Sequence, residues 1–165
     1  MPEMREQLNN FPILQNVFDK LSRTFPGQEL VFSFDRQELA VRVPKEHLLK
    51  ILTFLKDDCG FNTLSDVIGL DNLNIRKEGE KRFAILYQLY MFPAVQRLRV
   101  RVEIGENEVA DSIVPLYPAA DWAEREIYDM FGIRFAHHPN LRRIYMDDEW
   151  DGFPLRKDYP LEGKK

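Results

Sequence analysis

Apolar residues recur along the chain at two spacings, and the wider spacing predicts three helices. Apolar positions three and four residues apart form one stripe after Pro12 and a second after Pro44. A third stripe runs from about Pro118 to Phe131. Proline suits the first turn of a helix because its missing N–H would have no partner there. We therefore expect one helix after each of these three prolines.

Strict alternation of apolar and polar residues predicts the strands. It occurs in residues 30–34 and 39–43, and most strongly on both sides of Phe92-Pro93-Ala94 within residues 82–104. Residues 61–73 are expected to form a further strand with a break near Gly69. The order α-β-β-α-β-β-β-α is typical of an α+β domain, with helices packed on one face of an antiparallel or mixed sheet.

The regular spacing of apolar residues ends after residue 132. Pro139, Pro154 and Pro160 disfavour a long helix in this region. We therefore expect an α+β body over residues 1–132, followed by an extended C-terminal tail over residues 133–165.

Composition excludes several classes of protein. The chain has 165 residues and a single cysteine, so it cannot form an internal disulfide or a cage of its own thiolates around a metal. No apolar run approaches the roughly 18 residues of a membrane span. The first residues resemble neither a signal peptide nor a transit peptide. The formal net charge of −4 disfavours nucleic acid as the main partner.

A row of arginines occupies one face of the strand that follows Phe92-Pro93-Ala94. Arg97, Arg99 and Arg101 alternate with apolar residues and share the polar face of that strand. Like charges in a row need acidic neighbours or a partner. An RNA-binding sheet would carry aromatic residues among them, and this face has none.

The third predicted helix carries several acidic residues. Glu124 and Glu126 point about 200° apart on a helix, so they cannot face each other as an acid–base pair. Arg125 has Asp121 and Asp129 four residues away on either side, which permits salt bridges. Asp129 lies at the negative end of the helix dipole. We expect a cation beside it: Arg142, Arg143 or a residue of a partner.

The tail contains apolar side chains that it cannot bury against itself. Trp150, Phe153, Leu155, Tyr159 and Leu161 must pack on the body or on another protein. Aromatic and arginine side chains are the usual anchors of protein interfaces, and Arg156 and Lys157 lie among them. We interpret the tail as a docking segment.

Neither a metal site nor a catalytic site is predicted. His137 and His138 are adjacent and would point apart in an extended segment, and the acidic run 147–151 lacks calcium-loop spacing. No phosphate-binding glycine loop or nucleophile motif occurs, and Cys59 is expected to pack as a small apolar side chain.

Three separated motifs resemble the C subunit of the proton-translocating NADH:quinone oxidoreductase, respiratory complex I. They are Glu124-Arg125-Glu126 with Tyr128-Asp129-Met130-Phe131-Gly132, then His138-Pro139-Asn140-Leu141-Arg142-Arg143-Ile144, then residues 148–161. Leu64-Ser65-Asp66-Val67 resembles a further element of that family. The strong match covers about residues 117–161, and the first 60 residues match only in the order of their predicted elements.

The resemblance implies a non-catalytic subunit of the peripheral arm. It implies no cofactor in this chain, since the Fe–S clusters, FMN and quinone are bound by partner subunits. The expected partners are the hydrogenase-like D subunit and the Fe–S subunits B and I, at the cytoplasmic face of the inner membrane. No nucleic acid and no direct membrane span are expected.

The resemblance and the tail together predict the residues of an interface with these partners. Arginine and lysine side chains of the tail would pair with partner acids, and its aromatic side chains would fill apolar pockets. The predicted interface residues are Glu124, Arg125, Glu126, Asp129, His138, Arg142, Arg143, Trp150, Phe153, Arg156, Lys157, Tyr159 and Leu161.

A related assignment stays open. Similar subunits serve ferredoxin-linked, F420-linked and [NiFe]-hydrogenase-linked relatives of complex I, and the electron donor binds to other subunits. An enzyme with its own active site would need a pocket of converging polar groups, and the sequence indicates none.

Overall fold

The computed structural model describes residues 2–160 and 162. It has the predicted α+β class, with a five-stranded mixed sheet and an extended C-terminal segment. The helices are α1 (Pro2–Gln7), α2 (Pro12–Thr24), α3 (Leu48–Asp57) and α4 (Ala120–Phe131). The strands are β1 (Val31–Asp35), β2 (Glu38–Arg42), β3 (Thr63–Asp71), β4 (Phe83–Met91), β5 (Gln96–Ile104), β6 (Val109–Asp111) and β7 (Arg134–Ala136).

The large sheet has the strand order β1-β2-β5-β4-β3. Strand β1 pairs antiparallel with β2, whereas β2 pairs parallel with β5, with Leu39 opposite Leu98 and Arg42 opposite Arg101. A parallel neighbour requires a crossover connection, and α3 lies in the connection that follows β2. Alternate residues of β2 and β5 are buried, so one face of each strand packs in the core.

The arginine row on β5 has an acidic neighbour on β2. Arg99 Nη2 lies 2.9 Å from Glu38 Oε2, and Arg97 Nη1 lies 3.6 Å from Glu38 Oε1. This confirms the expectation of acidic neighbours or a partner for the row. Two of the three arginines of the row therefore lie beside a carboxylate of the same sheet.

The chain forms two compact units. The first comprises Met1–Ser65 and Tyr87–Val102, and the second comprises Asp66–Leu86 and Glu103–Lys165. The apolar stripes of α2 and α3 are buried in the first unit. The predicted division into a body over residues 1–132 and a docking tail over residues 133–165 stays a prediction.

Three short elements were not predicted, and one predicted break does not occur. Helix α1 and strands β6 and β7 are too short to show a hydrophobic period, and β6 pairs parallel with β7. Strand β3 continues through Gly69. A Cβ at this position would lie 3.0 Å from the Phe131 ring, so the glycine permits close packing of α4.

The part of the chain that the structure describes contains no helix long and apolar enough to cross a membrane. The longest helix is α2, with 13 residues.

Candidate functional site

Helix α4 is the centre of the candidate site, and its end is fixed by Gly132. This glycine has φ 73°, and its N–H donates to the Tyr128 carbonyl at 2.9 Å. The left-handed conformation ends the helix and turns the chain away from it. Glu124 and Asp129 are fully buried, whereas Glu126 is exposed. The two glutamates therefore point apart, as the helical period predicted.

Asp129 binds four groups of the segment that follows the helix. Its Oδ1 accepts a hydrogen bond from Arg143 Nη1 at 2.7 Å. Its Oδ2 accepts the backbone N–H groups of Ile144, Tyr145 and Met146 at 3.0, 2.7 and 3.0 Å. The predicted cation beside Asp129 is therefore Arg143, a residue of the same chain. The carboxylate holds residues 143–146 as a fixed turn against α4.

The ionisation of Asp129 follows from these bonds. Burial would raise its pKa, but the hydrogen bonds from three backbone N–H groups and from Arg143 outweigh that effect. The net result is a pKa below the ordinary aspartate value, so the group is a carboxylate at neutral pH.

Arg143 extends the same network into the C-terminal segment. Its Nη2 donates to the carbonyls of Trp150 and Gly152 at 3.1 and 3.0 Å. The guanidinium also lies 5.2 Å from the centre of the Phe153 ring. One arginine thus joins the end of α4 to two points of the following segment.

Arg156 and Phe153 close this segment over the end of α4. Arg156 Nε donates to the Phe131 carbonyl at 2.6 Å, and its guanidinium lies 4.6 Å from the Phe153 ring centre. A Cβ at Gly132 would lie 2.5 Å from Phe153 Cε2 and 2.7 Å from Arg156 Nη2. Only glycine leaves room for these two side chains.

The buried Arg82 cluster binds the C-terminal segment at a second place, residues 157 and 158. Arg82 is 2% exposed and pairs with Asp71 at 2.8 Å and with Glu106 at 2.7 Å. It also donates to Asp158 Oδ2 at 3.0 Å, while the Lys157 backbone N–H donates to Asp71 Oδ2 at 2.9 Å. The hydrogen bonds that Arg82 donates to Asp71 and Asp158 raise the pKa of Arg82, so the cluster stays charged.

Glu124 lies in a second buried polar group, with His138. Its Oε1 accepts the Ile113 N–H at 2.8 Å, but its Oε2 has no hydrogen-bond partner and lies 3.9 Å from His138 Nε2. His138 Nδ1 accepts the Asn140 N–H at 3.0 Å, which leaves the proton on Nε2, 3.2 Å from the Asp121 carbonyl. Burial raises the pKa of Glu124 to about 7.

Arg125 makes neither of the salt bridges that its spacing permits. Among the described residues, its Nε donates to the Arg142 carbonyl at 3.4 Å, and its guanidinium lies 4.7 Å from the Trp122 ring centre. Asp129 is already paired with Arg143, and Asp121 lies beside His138 at 3.5 Å.

The predicted interface residues therefore fall into three groups. Most are buried or half-buried and bind within this chain: Glu124, Arg125, Asp129, His138, Arg143, Phe153, Arg156 and Tyr159. Others are exposed: Glu126, Arg142, Trp150 and Lys157. Leu161 lies outside the described residues.

Sequence reasoning missed several members of these networks. Asp71, Arg82 and Asp158 are far apart in sequence, and no periodic signal links them. Trp122 and Tyr145 lie within the motif region, and both are largely exposed. An exposed aromatic residue inside a helix pattern was the one signal that could have indicated Trp122.

The hydrogen bonds of Asp129, Arg143 and Arg82 hold the segment after α4 in place, and other side chains of this region stay exposed. Within residues 2–160 and at residue 162, no three His, Cys, Asp or Glu side chains are grouped so that they could hold a metal ion. The charged groups at the end of α4 are paired with one another and do not converge on an open pocket.

A family model and individual relatives assign this chain to the same family. Residues 41–165 match the family model described as respiratory-chain NADH dehydrogenase, 30 Kd subunit. The chain is 45% identical over 145 residues to a protein from Citrifermentans bemidjiense named as the C subunit of NADH-quinone oxidoreductase, covering 87% of this chain and 88% of that protein. A protein of the same name from Trichlorobacter lovleyi is 43% identical over 146 residues, covering 88% of each.

Two solved structures have a similar fold. One is the trypsin-resistant fragment (1-134) of Nqo5, with TM-score 0.69 and 30% identity, covering 78% of this chain and 99% of that one. The other is the membrane-bound sulfane sulfur reductase, an archaeal respiratory membrane complex, with TM-score 0.66 and 20% identity. It covers 89% of this chain and 85% of the matched chain, and at this identity it shows the fold alone.

Proposed function

Because the chain belongs to the family of the 30 kDa subunit of respiratory-chain NADH dehydrogenase, which includes the C subunit of NADH-quinone oxidoreductase, we propose that it is a scaffold subunit of that enzyme complex. In this proposal it carries no cofactor and no active site. It holds the Fe–S and quinone-reducing subunits together while electrons pass from NADH to quinone, coupled to proton translocation.

The observation that carries the proposal is the fixed C-terminal segment. Asp129, Arg143 and Arg82 bind residues 143–158 through buried or half-buried charges. A segment without helix or strand beyond β7 is thereby given one conformation before any partner binds. Preorganisation of this kind lowers the conformational entropy lost on association. A scaffold needs such a surface, because electron transfer depends on fixed distances between cofactors in neighbouring subunits.

The proposed partners are the hydrogenase-like D subunit and the Fe–S subunits B and I. The proposed location is the cytoplasmic face of the inner membrane, reached through the complex. Arg142 and Lys157 are exposed and free to meet a partner, whereas Arg143 and Arg156 bind within the chain. The docking role of residues 133–165 stays a prediction.

An equivalent subunit of a ferredoxin-, F420- or [NiFe]-hydrogenase-linked complex is the alternative. A similar fold occurs in an archaeal respiratory membrane complex named as a sulfane sulfur reductase, so this fold is compatible with either assignment. The two assignments differ in the electron-input subunit and not in this chain.

Purification of the tagged chain from its native membranes in mild detergent tests the proposal. We expect the hydrogenase-like subunit, two Fe–S subunits and an NADH-oxidising flavoprotein to be recovered with it, identified by mass spectrometry. Recovery of the Fe–S partners without the flavoprotein would favour the alternative. Recovery of the chain alone would contradict both assignments.

A further inference from the structure

Two aromatic side chains, one on helix α4 and one in the segment that follows it, are exposed although their backbone is held by hydrogen bonds. Trp122 is 66% exposed and Tyr145 is 65% exposed. Trp122 has Arg125 stacked on its ring, 4.7 Å from the ring centre, and the Tyr145 N–H donates to Asp129 at 2.7 Å. Large, fixed, exposed aromatic side chains are the typical anchors of a protein interface.

A carboxylate lies between these two side chains. Glu126 is one helical turn after Trp122, so the two side chains are neighbours on the helix surface. The Tyr145 hydroxyl lies 3.5 Å from Glu126 Oε2. Among the described residues, no lysine, arginine or histidine side chain forms a salt bridge with Glu126, so its charge is left for water or a partner.

The turn that follows Tyr145 adds further negative charge. Asp147, Asp148 and Glu149 are exposed and, with Trp150, line an open surface depression of about 490 Å³. In the part of the chain that the structure describes, no basic side chain pairs with these three carboxylates. We call Trp122, Glu126, Tyr145 and residues 147–150 the acidic aromatic surface.

We propose that the acidic aromatic surface binds a basic segment of a partner protein and that an arginine of this segment lies between Trp122 and Tyr145, on Glu126. This rests on the proposed function and adds the chemistry of the partner. An arginine forms bidentate hydrogen bonds with a carboxylate and stacks on aromatic rings, and tryptophan gives the strongest cation–π attraction. The carboxylates would repel nucleic acid and anionic lipid alike.

In the proposed interface this chain contributes acidic residues, whereas the sequence led us to expect basic ones. The tail's arginines were expected to pair with partner acids, but Arg143 and Arg156 bind within the chain. The exposed charged residues between positions 142 and 150 are mainly acidic. Arg142 is the exposed exception, and it separates the two models: a partner rich in acids would depend on Arg142, whereas a basic partner would depend on Glu126.

Charge reversal in the intact complex tests the proposal. Glu126→Arg and Trp122→Ala, each in the full-length tagged chain, should lower recovery of the partner proteins from native membranes by about tenfold. Glu78→Arg makes the same charge change at an exposed residue far from this surface in sequence, and it should leave recovery unchanged. Equal thermal unfolding midpoints of the isolated variant and wild-type chains exclude a folding defect as the cause.

A photocrosslink identifies the partner's chemistry directly. A benzophenone side chain at position 145, introduced in the full complex, should crosslink to a peptide containing arginine or lysine. Crosslinking to an acidic peptide, or loss of recovery in Arg142→Glu but not in Glu126→Arg, would overturn the proposal.

The outcomes separate this proposal from the one that it rests on. Normal recovery of all partners by both Glu126→Arg and Trp122→Ala would overturn the basic-partner proposal and leave the scaffold function standing. Recovery of the wild-type chain without partners would overturn both.

Discussion

At the scale of single residues, Asp129 joins the end of α4 to the segment that follows. It is fully buried and accepts hydrogen bonds from Arg143 and from three backbone N–H groups. Asp129→Asn would remove the charge and place an amide opposite these donors. Removing one partner of a buried ion pair typically costs about 3–5 kcal/mol, and we expect a loss of that size in the free energy of unfolding.

Urea unfolding of the isolated chain at pH 7 measures this loss. Glu78→Gln is the control, because an exposed carboxylate outside the network should change stability by less than about 0.5 kcal/mol. An Asp129→Asn chain as stable as the control would show that the carboxylate does not hold the segment. Since the folded pKa of Asp129 is depressed, its contribution is present above the unfolded pKa and is lost as pH falls through the folded pKa.

Glu124 makes the free energy of unfolding depend on pH in the opposite direction from Asp129. Its pKa is raised to about 7 in the folded chain from an ordinary value of 4.5, so the folded state holds a proton that the unfolded state has lost. The free energy of unfolding should therefore fall by about 3 kcal/mol as pH rises from 4.5 to 7. Glu124→Gln should remove this fall, since glutamine keeps the hydrogen bond from Ile113 without titrating.

Urea unfolding at several pH values between 5 and 8 tests the role of Glu124. Glu78→Gln should keep the pH dependence of the wild-type chain. The same fall in stability in Glu124→Gln and wild type would contradict the raised pKa of Glu124.

At the scale of the elements, Gly132 decides how α4 ends and what packs there. Gly132→Ala would combine a strained left-handed backbone with a clash against Phe153 and Arg156. Gly27 has a similar φ of 78°, but a Cβ there would meet nothing within 4 Å. Gly27→Ala is thus a matched control for the backbone cost of about 1–2 kcal/mol.

We expect Gly132→Ala to lose about 1–3 kcal/mol more than Gly27→Ala, the usual cost of overpacking. Chemical denaturation of both variants measures the difference. Equal losses would mean that the C-terminal segment does not pack on Gly132.

At the scale of the whole molecule, the C-terminal segment has contacts within the chain as well as a proposed partner. Deletion of residues 147–165 removes Asp158 and the Lys157 N–H from the Arg82–Asp71 pair and two carbonyls from Arg143. We expect the far-UV circular dichroism spectrum to be kept, a lower unfolding midpoint, and loss of the partner proteins from the purified complex.

A chain lacking only residues 162–165 is the control for this deletion, because residues 147–160 are kept. It should assemble like the full chain. Normal recovery of partners by the chain lacking 147–165 would contradict the docking role of the segment.

The sequence predicted much of the fold because long amphipathic elements carry their own signal. The buried stripe of α2 and the alternation in β5 are visible in single stretches of chain. The cation beside Asp129 followed from the helix dipole and was confirmed as Arg143. Strands β6 and β7 could not be predicted, since each is three residues long and exists only through pairing with the other.

The candidate site was predictable in position but not in contacts. The motifs indicated α4 and the segment after it, but periodicity does not say which charges pair. Arg82 meets Asp158 across 76 positions, and only the folded chain brings them together. For the same reason the sequence could not separate Arg143, which is bound within the chain, from Arg142, which is exposed.

By itself the sequence determined the fold class, the main elements and the family, because these depend on hydrophobic periods and on motifs that are local in the chain. The tertiary structure alone decided which charged residues are used internally and which stay on the surface. Asp129, Arg143 and Arg82 are neutralised by groups distant in sequence, while Trp122, Glu126 and Tyr145 stay exposed. Charge pairing and burial depend on distances in space, and distances in space are fixed only when the chain has folded.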